Sequence, residues 1–128
     1  IGVGVLLLVG VERGDTPADA DVTAKKIASL RIFRGARPMD RTLADVGGAA
    51  LVVSQFTLAG NVRKGRRPSF DRAEDPQIAQ SLYERVCEGL RASDVPVQTG
   101  RFAANMAVEL VNDGPVTLLV FSRDGEIL

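Results

Sequence analysis

The strongest constraint on the fold is two short apolar runs, Ile1–Val11 and Ala49–Val53, with helix-spaced apolar residues between them. Glu12 and Arg13 close the first run well below the roughly twenty apolar residues that span a bilayer. It also lacks the positive lead and small-residue cleavage site of a secretory segment. Both runs read as buried strands. Because Ile1 is not an ordinary start residue, further residues are expected before it. Thr16 suits the helix cap, Pro17 its first turn, and Asp19 the negative charge favoured there. Ala20, Ala24, Ile27, Ala28 and Leu30 share one face, with a change to strand near Leu30.

A polar, turn-rich stretch from Gly35 to Asp45 leads into the second run. That strand is expected to continue to Leu58 by alternation, placing Ser54, Phe56 and Leu58 on one side and Gln55 and Thr57 on the other. A basic loop follows, then a second helix capped by Asp75 with Pro76 in its first turn. Ile78, Leu82, Val86 and Gly89 form its apolar line beside Ala79, Tyr83 and Leu90. Cys87 sits at the edge of that face and reads as a packed thiol. Val97–Phe102, Met106–Val111 and Val116–Phe121 read as strands, the last leaving through Ser122–Gly125. Nothing resembles a linker or a repeat. Residues 1–128 therefore read as one α/β domain, with two main helices and a mixed β-sheet or partly closed barrel.

Composition narrows the chemistry. The 128 residues hold 16 basic and 16 acidic side chains, one cysteine and no histidine. Ser-His-Asp and Cys-His catalysis cannot come from this chain alone. A single cysteine forms no disulfide within the chain and fits a reducing, cytoplasmic setting. No metal constellation, phosphate-binding loop or dinucleotide fingerprint is present, so no cofactor is expected.

Two polar interruptions beside apolar strands remain. In Ser54-Gln55-Phe56-Thr57, a hydroxyl needs a base or a polarising environment before it attacks, and without histidine positioning by hydrogen bonds gains weight. The alternative is ordinary strand polarity. Asn112-Asp113-Gly114-Pro115 is either a plain β-turn or rigid main chain placed at a cleft, with Thr117 just beyond it. Arg63, Lys64, Arg66 and Arg67 around Gly65 are either a solvated loop or a phosphate-binding one. The Arg13-Gly14-Asp15 triplet reads as a turn.

The strings Val52-Val53-Ser54-Gln55-Phe56-Thr57-Leu58, Arg63-Lys64-Gly65-Arg66-Arg67-Pro68-Ser69-Phe70 and Leu110-Val111-Asn112-Asp113-Gly114-Pro115-Val116-Thr117 resemble the D-aminoacyl-tRNA deacylase family. The likeness runs over nearly the whole chain. It implies hydrolysis of the ester between a D-amino acid and the terminal adenosine of tRNA, and removal of glycine from tRNA specific for alanine. It also implies a homodimer with its pockets at the subunit boundary and no membrane or DNA partner. By resemblance Gly114 and Pro115, joined by a cis peptide, form a chiral gate in the neighbouring subunit's pocket. Ser54, Gln55, Phe56 and Thr57 line the opposite wall, Gln55 orienting the ester and Phe56 shaping the adenine site. Met106, Asn112 and Thr117 support the pocket, and Arg63, Lys64, Arg66 and Arg67 meet the tRNA. Thr57 is the family's older candidate nucleophile, and the 2′-hydroxyl of the terminal adenosine is the rival activating group. The chain departs from the family pattern in having Ala103 for Gly, Asn105 for Asp, and no opening strand and hairpin. Other readings are an inactive tRNA-binding relative and a small-molecule esterase, the latter disfavoured by the missing histidine and nucleophile elbow.

Overall fold

A computed structural model describes all of residues 1–128. Strand β1 (Gly4–Val9) leads to helix α1 (Pro17–Ser29), strand β2 (Ala49–Ser54), a 3₁₀ turn (Phe56–Ala59) and helix α2 (Pro76–Ala92). Strand β3 (Val97–Thr99) follows, then strands β4 (Ser122–Arg123) and β5 (Glu126–Ile127). The first three strands form a parallel sheet in the order β1-β2-β3, and β4 and β5 form a separate antiparallel hairpin. Parallel neighbours require long crossovers, and the two helices supply them.

Register decides which residues meet the helices. Val5 lies opposite Ala50 and Leu7 opposite Val52. These positions face a single core containing Ala20, Ala24 and Ile27 of α1 and Leu82, Tyr83, Val86, Cys87 and Leu90 of α2. The helices approach closely because Gly89 faces Ala24; a Cβ on Gly89 would lie 2.7 Å from that of Ala24. Leu6, Leu8, Leu51 and Val53 point to the other face of the sheet, where no helix lies, and Leu8 is 45% exposed. Cys87 is packed as expected, and burial pushes its thiol pKa up, keeping it protonated near neutrality.

Both helix starts follow local chemistry. Thr16 and Asp19 make a reciprocal capping box, and Asp75 caps α2 through the N–H of Gln77. Asp19 does more than cap. Its buried carboxylate accepts from the Thr16 N–H at 2.9 Å, the Thr16 hydroxyl at 3.0 Å and the Gly125 N–H at 2.9 Å, tying the terminal hairpin to α1. The Thr23 and Ser122 hydroxyls meet at 2.8 Å in the same joint. Burial pushes the Asp19 carboxyl up. The donors from Gly125 and Thr16, with the nearby Arg123 charge, outweigh it and leave the pKa below its ordinary value.

Several sequence expectations need correction. The second strand stops at Ser54, and the chain tightens into the 3₁₀ turn instead of alternating to Leu58. Helix α1 ends at Ser29, and beyond it only Phe33 makes a bridge, to Arg41. Ile78 is exposed because Leu82, Tyr83 and Val86 carry the buried face of α2. The third strand is shorter than expected, and Met106–Val111 and Val116–Phe121 form no ladder. Leu110, Val111, Leu118, Leu119 and Phe121 are exposed there, since this chain supplies no neighbouring strand to pair with them.

Asp19→Ala should lower stability by about 2 kcal/mol, because it removes a cap and leaves the half-buried N–H of Gly125 without its acceptor. A lowered carboxyl pKa contributes stability that is present above about pH 4, the unfolded value, and is lost as pH falls through the folded value. Asp19→Asn should therefore show a shallower loss of stability than wild type in urea titrations taken below that pH. Tyr83→Phe should cost only about 1 kcal/mol. The Tyr83 hydroxyl donates to the buried Val52 carbonyl at 2.8 Å, but that carbonyl keeps the Gly100 N–H at 3.1 Å. Denaturant unfolding of Asp19→Ala and Tyr83→Phe measures these losses.

Candidate active site

The parallel sheet delivers its central strand to the edge of a cavity of about 480 Å³. Parallel strands present their carboxyl ends to such crevices, where the chain leaves the sheet and backbone groups come free. Here β2 ends at Ser54, and Val53, Ser54, Gln55 and Phe56 form one wall. Phe102 to Met106, arriving from β3, form another, and Ala73, Glu74, Pro76 and Ala79 close the end near the start of α2. Ten of the fifteen lining residues are hydrophobic, so the few polar groups stand against largely apolar walls.

Three features fix the walls. The Tyr83 ring lies 5.9 Å from the Phe102 ring and holds it against α2. The Phe56 ring meets Phe70 edge-on at 5.2 Å. Ala103 adopts φ +61°, a left-handed conformation that costs an L-residue about 1–2 kcal/mol, and so reverses the chain beside the cavity. A glycine would take this turn without that cost.

The 3₁₀ turn sets the polar chemistry. Gln55 donates through Nε2 to the Thr57 hydroxyl oxygen at 2.6 Å. A hydroxyl oxygen that already accepts a hydrogen bond has less electron density to offer an electrophile, and no base touches it. Thr57 does not line the cavity, although its partner Gln55 does. The N–H groups of Phe56 and Thr57 open the turn and have no partner inside it.

The second motif is built separately. The Gly114–Pro115 peptide is cis. Asn112 brackets it, accepting from the Val116 N–H at 3.1 Å and donating to the Thr117 hydroxyl at 2.8 Å. Gly114 has φ +141°, and a Cβ there would stand 3.1 Å from both the nitrogen and a methyl of Val116. All of Asn112, Gly114, Pro115 and Thr117 lie outside the cavity of their own chain, whereas Met106 lines it.

The basic loop stands on a pinned base. Asn61 and Ser69 exchange backbone hydrogen bonds at 2.7 and 2.9 Å, and Gly65 turns the tip with φ +68°. Arg63, Lys64, Arg66 and Arg67 are all exposed and none is in an ion pair. The loop is anchored to the cavity through Phe70 and Phe56. A single chain thus brings together Ser54, Gln55, Phe56 and Met106, places Thr57 and the basic loop beside them, and leaves the Gly114–Pro115 turn apart. Sequence reasoning missed the lining by Glu74, Phe102 and Ala79. Glu74 precedes a helix cap and carried no pattern, while Phe102 and Ala79 read as ordinary strand and helix residues.

Comparison with known proteins agrees with these features. The D-Tyr-tRNA(Tyr) deacylase family matches residues 1–121. A D-aminoacyl-tRNA deacylase of Thermomicrobium roseum is 58% identical over 97% of this chain and 81% of its own length. One from Symbiobacterium thermophilum is 54% identical over 96% and 82%. Among solved structures, a c-Myc DNA Unwinding Element Binding Protein superposes with TM-score 0.83 and 34% identity, covering 92% of this chain and 81% of that one. A probable eukaryotic D-amino acid tRNA deacylase shares the fold, with TM-score 0.67 at 19% identity over 80% of this chain and 76% of that one. With its SQFTL and NDGPVT segments placed at the cavity and on a bracketed exposed turn, this chain belongs to the D-Tyr-tRNA(Tyr) deacylase family.

Proposed function

We propose that the protein hydrolyses the ester joining a D-amino acid to the terminal adenosine of tRNA, and likewise frees glycine from tRNA specific for alanine. It does so as a homodimer in which each pocket receives the Gly114–Pro115 turn of the other subunit. The observation that carries this reading is the separation of the two motif segments: Ser54, Gln55 and Phe56 line the cavity while the turn stands exposed outside it. A site that needs both is incomplete in one copy. The exposed Leu110, Leu118, Leu119 and Phe121 support a second chain as the cover. The cytoplasm, where aminoacyl-tRNA is used, is the setting this activity requires.

Selection by a bracketed main-chain turn works through exclusion. Space left for a hydrogen admits glycine or a D-substrate, while an L side chain directed at the same backbone clashes. Rejection by shape needs no ionised side chain. Asn112 and Thr117 hold the turn, and Met106 supports the cavity wall.

Hydrolysis needs water to attack the ester carbonyl carbon, the acyl–oxygen bond to the ribose to break, and a proton to reach the departing ribose oxygen. The chain has no histidine, and the Thr57 oxygen is already engaged by Gln55. The 2′-hydroxyl of the terminal adenosine, held beside the ester, is the group placed to assist by proximity. Gln55 and the free N–H groups of the 3₁₀ turn orient the ester and oppose charge developing on its carbonyl oxygen. Phe56 shapes the adenine site. Arg63, Lys64, Arg66 and Arg67 contact the tRNA phosphates from the loop beside the pocket.

Matched D-, L- and glycyl-tRNAs test the activity. The D and glycyl substrates should be cleaved and the L substrate at least about a hundredfold more slowly; absence of all turnover, with tRNA still bound, would identify a binding relative instead. Thr57→Ala should keep its rate within about tenfold of wild type. Gly114→Ala, which forces a Cβ against Val116, should erode D/L discrimination more than that. Complete kinetic loss in Thr57→Ala, with unchanged fold and tRNA affinity, would return the nucleophile to Thr57. Arg66→Ala and Arg67→Ala should each weaken tRNA binding and reduce the slope of log affinity against log salt by about one. Unchanged slopes would remove the loop from the interface.

A further inference from the structure

Glu74 is the only charged side chain among the residues lining the cavity. Its placement is determined from both sides. Its backbone N–H donates to the Val11 carbonyl at 3.0 Å, and the preceding residue, Ala73, bridges Glu12. One carboxylate oxygen, Oε1, accepts from the Asp75 N–H at 2.7 Å, which fixes the side chain and leaves Oε2 with no partner in the chain. No lysine or arginine pairs with it, although Arg72, two residues earlier, is paired with Glu12. The result is an oriented, half-buried and unneutralised carboxylate in a mainly apolar cavity.

An anion in this position repels phosphate and attracts a cation. The terminal adenosine and the ester carry no positive charge. The amino acid does, on its α-ammonium group and, in some cases, on its side chain. We propose that Glu74 binds a primary ammonium of the aminoacyl group and so orients that end of the substrate within the cavity. The proposal rests on the deacylase reading of the pocket. It assigns Glu74 a positioning and specificity role outside the bond-breaking step, with the remaining walls selecting by shape. Partial burial makes such a contact stronger than one on an open surface, because less water competes for both charges.

The test uses non-hydrolysable amides of 3′-amino-3′-deoxyadenosine carrying D-norleucine or D-lysine, each with its α-amino group free or acetylated. Binding to wild type and Glu74→Gln is measured by calorimetry, beside turnover of D-aminoacyl-tRNA by the same preparations. Glutamine keeps an acceptor for the Asp75 N–H and removes only the charge. If the α-ammonium is the ligand, wild type should bind the free norleucyl compound about tenfold more tightly than its acetylated form. Glu74→Gln should erase that difference. If the lysine side chain is the ligand, the preference should instead separate acetylated lysyl from acetylated norleucyl and vanish in the same variant. Equal binding of all four compounds by wild type, or preferences unchanged by Glu74→Gln, would overturn the proposal. Loss of the tRNA reaction in wild type with the ammonium preference intact would overturn the deacylase reading and leave Glu74 as a cation site.

Discussion

The Val52 carbonyl joins the parts of the molecule that matter. It accepts the Gly100 N–H, which ties the exit of β3 to β2, and the Tyr83 hydroxyl, which ties α2 to the same point. One residue further along β2, the chain enters the cavity wall at Val53 and leaves the strand at Ser54. The ring of Tyr83 also supports Phe102 on the opposite wall. One buried acceptor thus couples the central strand, the second crossover helix and both sides of the pocket. A polar group in a core is tolerated only when it is satisfied, and this one is satisfied twice.

The molecule otherwise divides into a well-packed half and an open one. On the helical side of the sheet, small residues at Ala24 and Gly89 let the helices approach, and the capping box of α1 also secures the terminal hairpin. The other face of the sheet carries Leu6, Leu8 and Leu51 with no covering helix. The segment from Met106 to Phe121 leaves Leu110, Val111, Leu118, Leu119 and Phe121 in solvent. Parallel sheets in stable proteins have both faces covered. Under the proposed dimer the open half is where the second chain and the shared pocket would lie.

What could be read from the sequence was what local chemistry decides. Thr16 and Asp75 announced their helices because capping depends on neighbours one to three residues away, and the first two apolar runs became adjacent strands. The Ser54–Leu58 alternation misled because the same five residues fit a strand or a tight turn, and the Gln55–Thr57 contact belongs to the turn. Met106–Val111 and Val116–Phe121 have the patterning of strands, but a ladder needs a second strand in register, and patterning cannot say where that strand comes from. The SQFTL half of the site was legible as a motif. Glu74 was not, because its position depends on the way residues near the start of α2 fold back against Val11.

The edge-on contact between Phe56 and Phe70 has a mechanical consequence. Phe70 terminates the cationic loop and Phe56 belongs to the cavity, so a single aromatic contact separates the place where a polyanion would rest from the place where its end would be read. Edge-to-face packing is a favoured geometry for two rings and is worth about 0.5–1.5 kcal/mol beyond the area buried. Under the proposed function, a load on the loop would reach the rim of the chamber through this contact, so that anchoring the long body of a substrate and seating its tip would be linked.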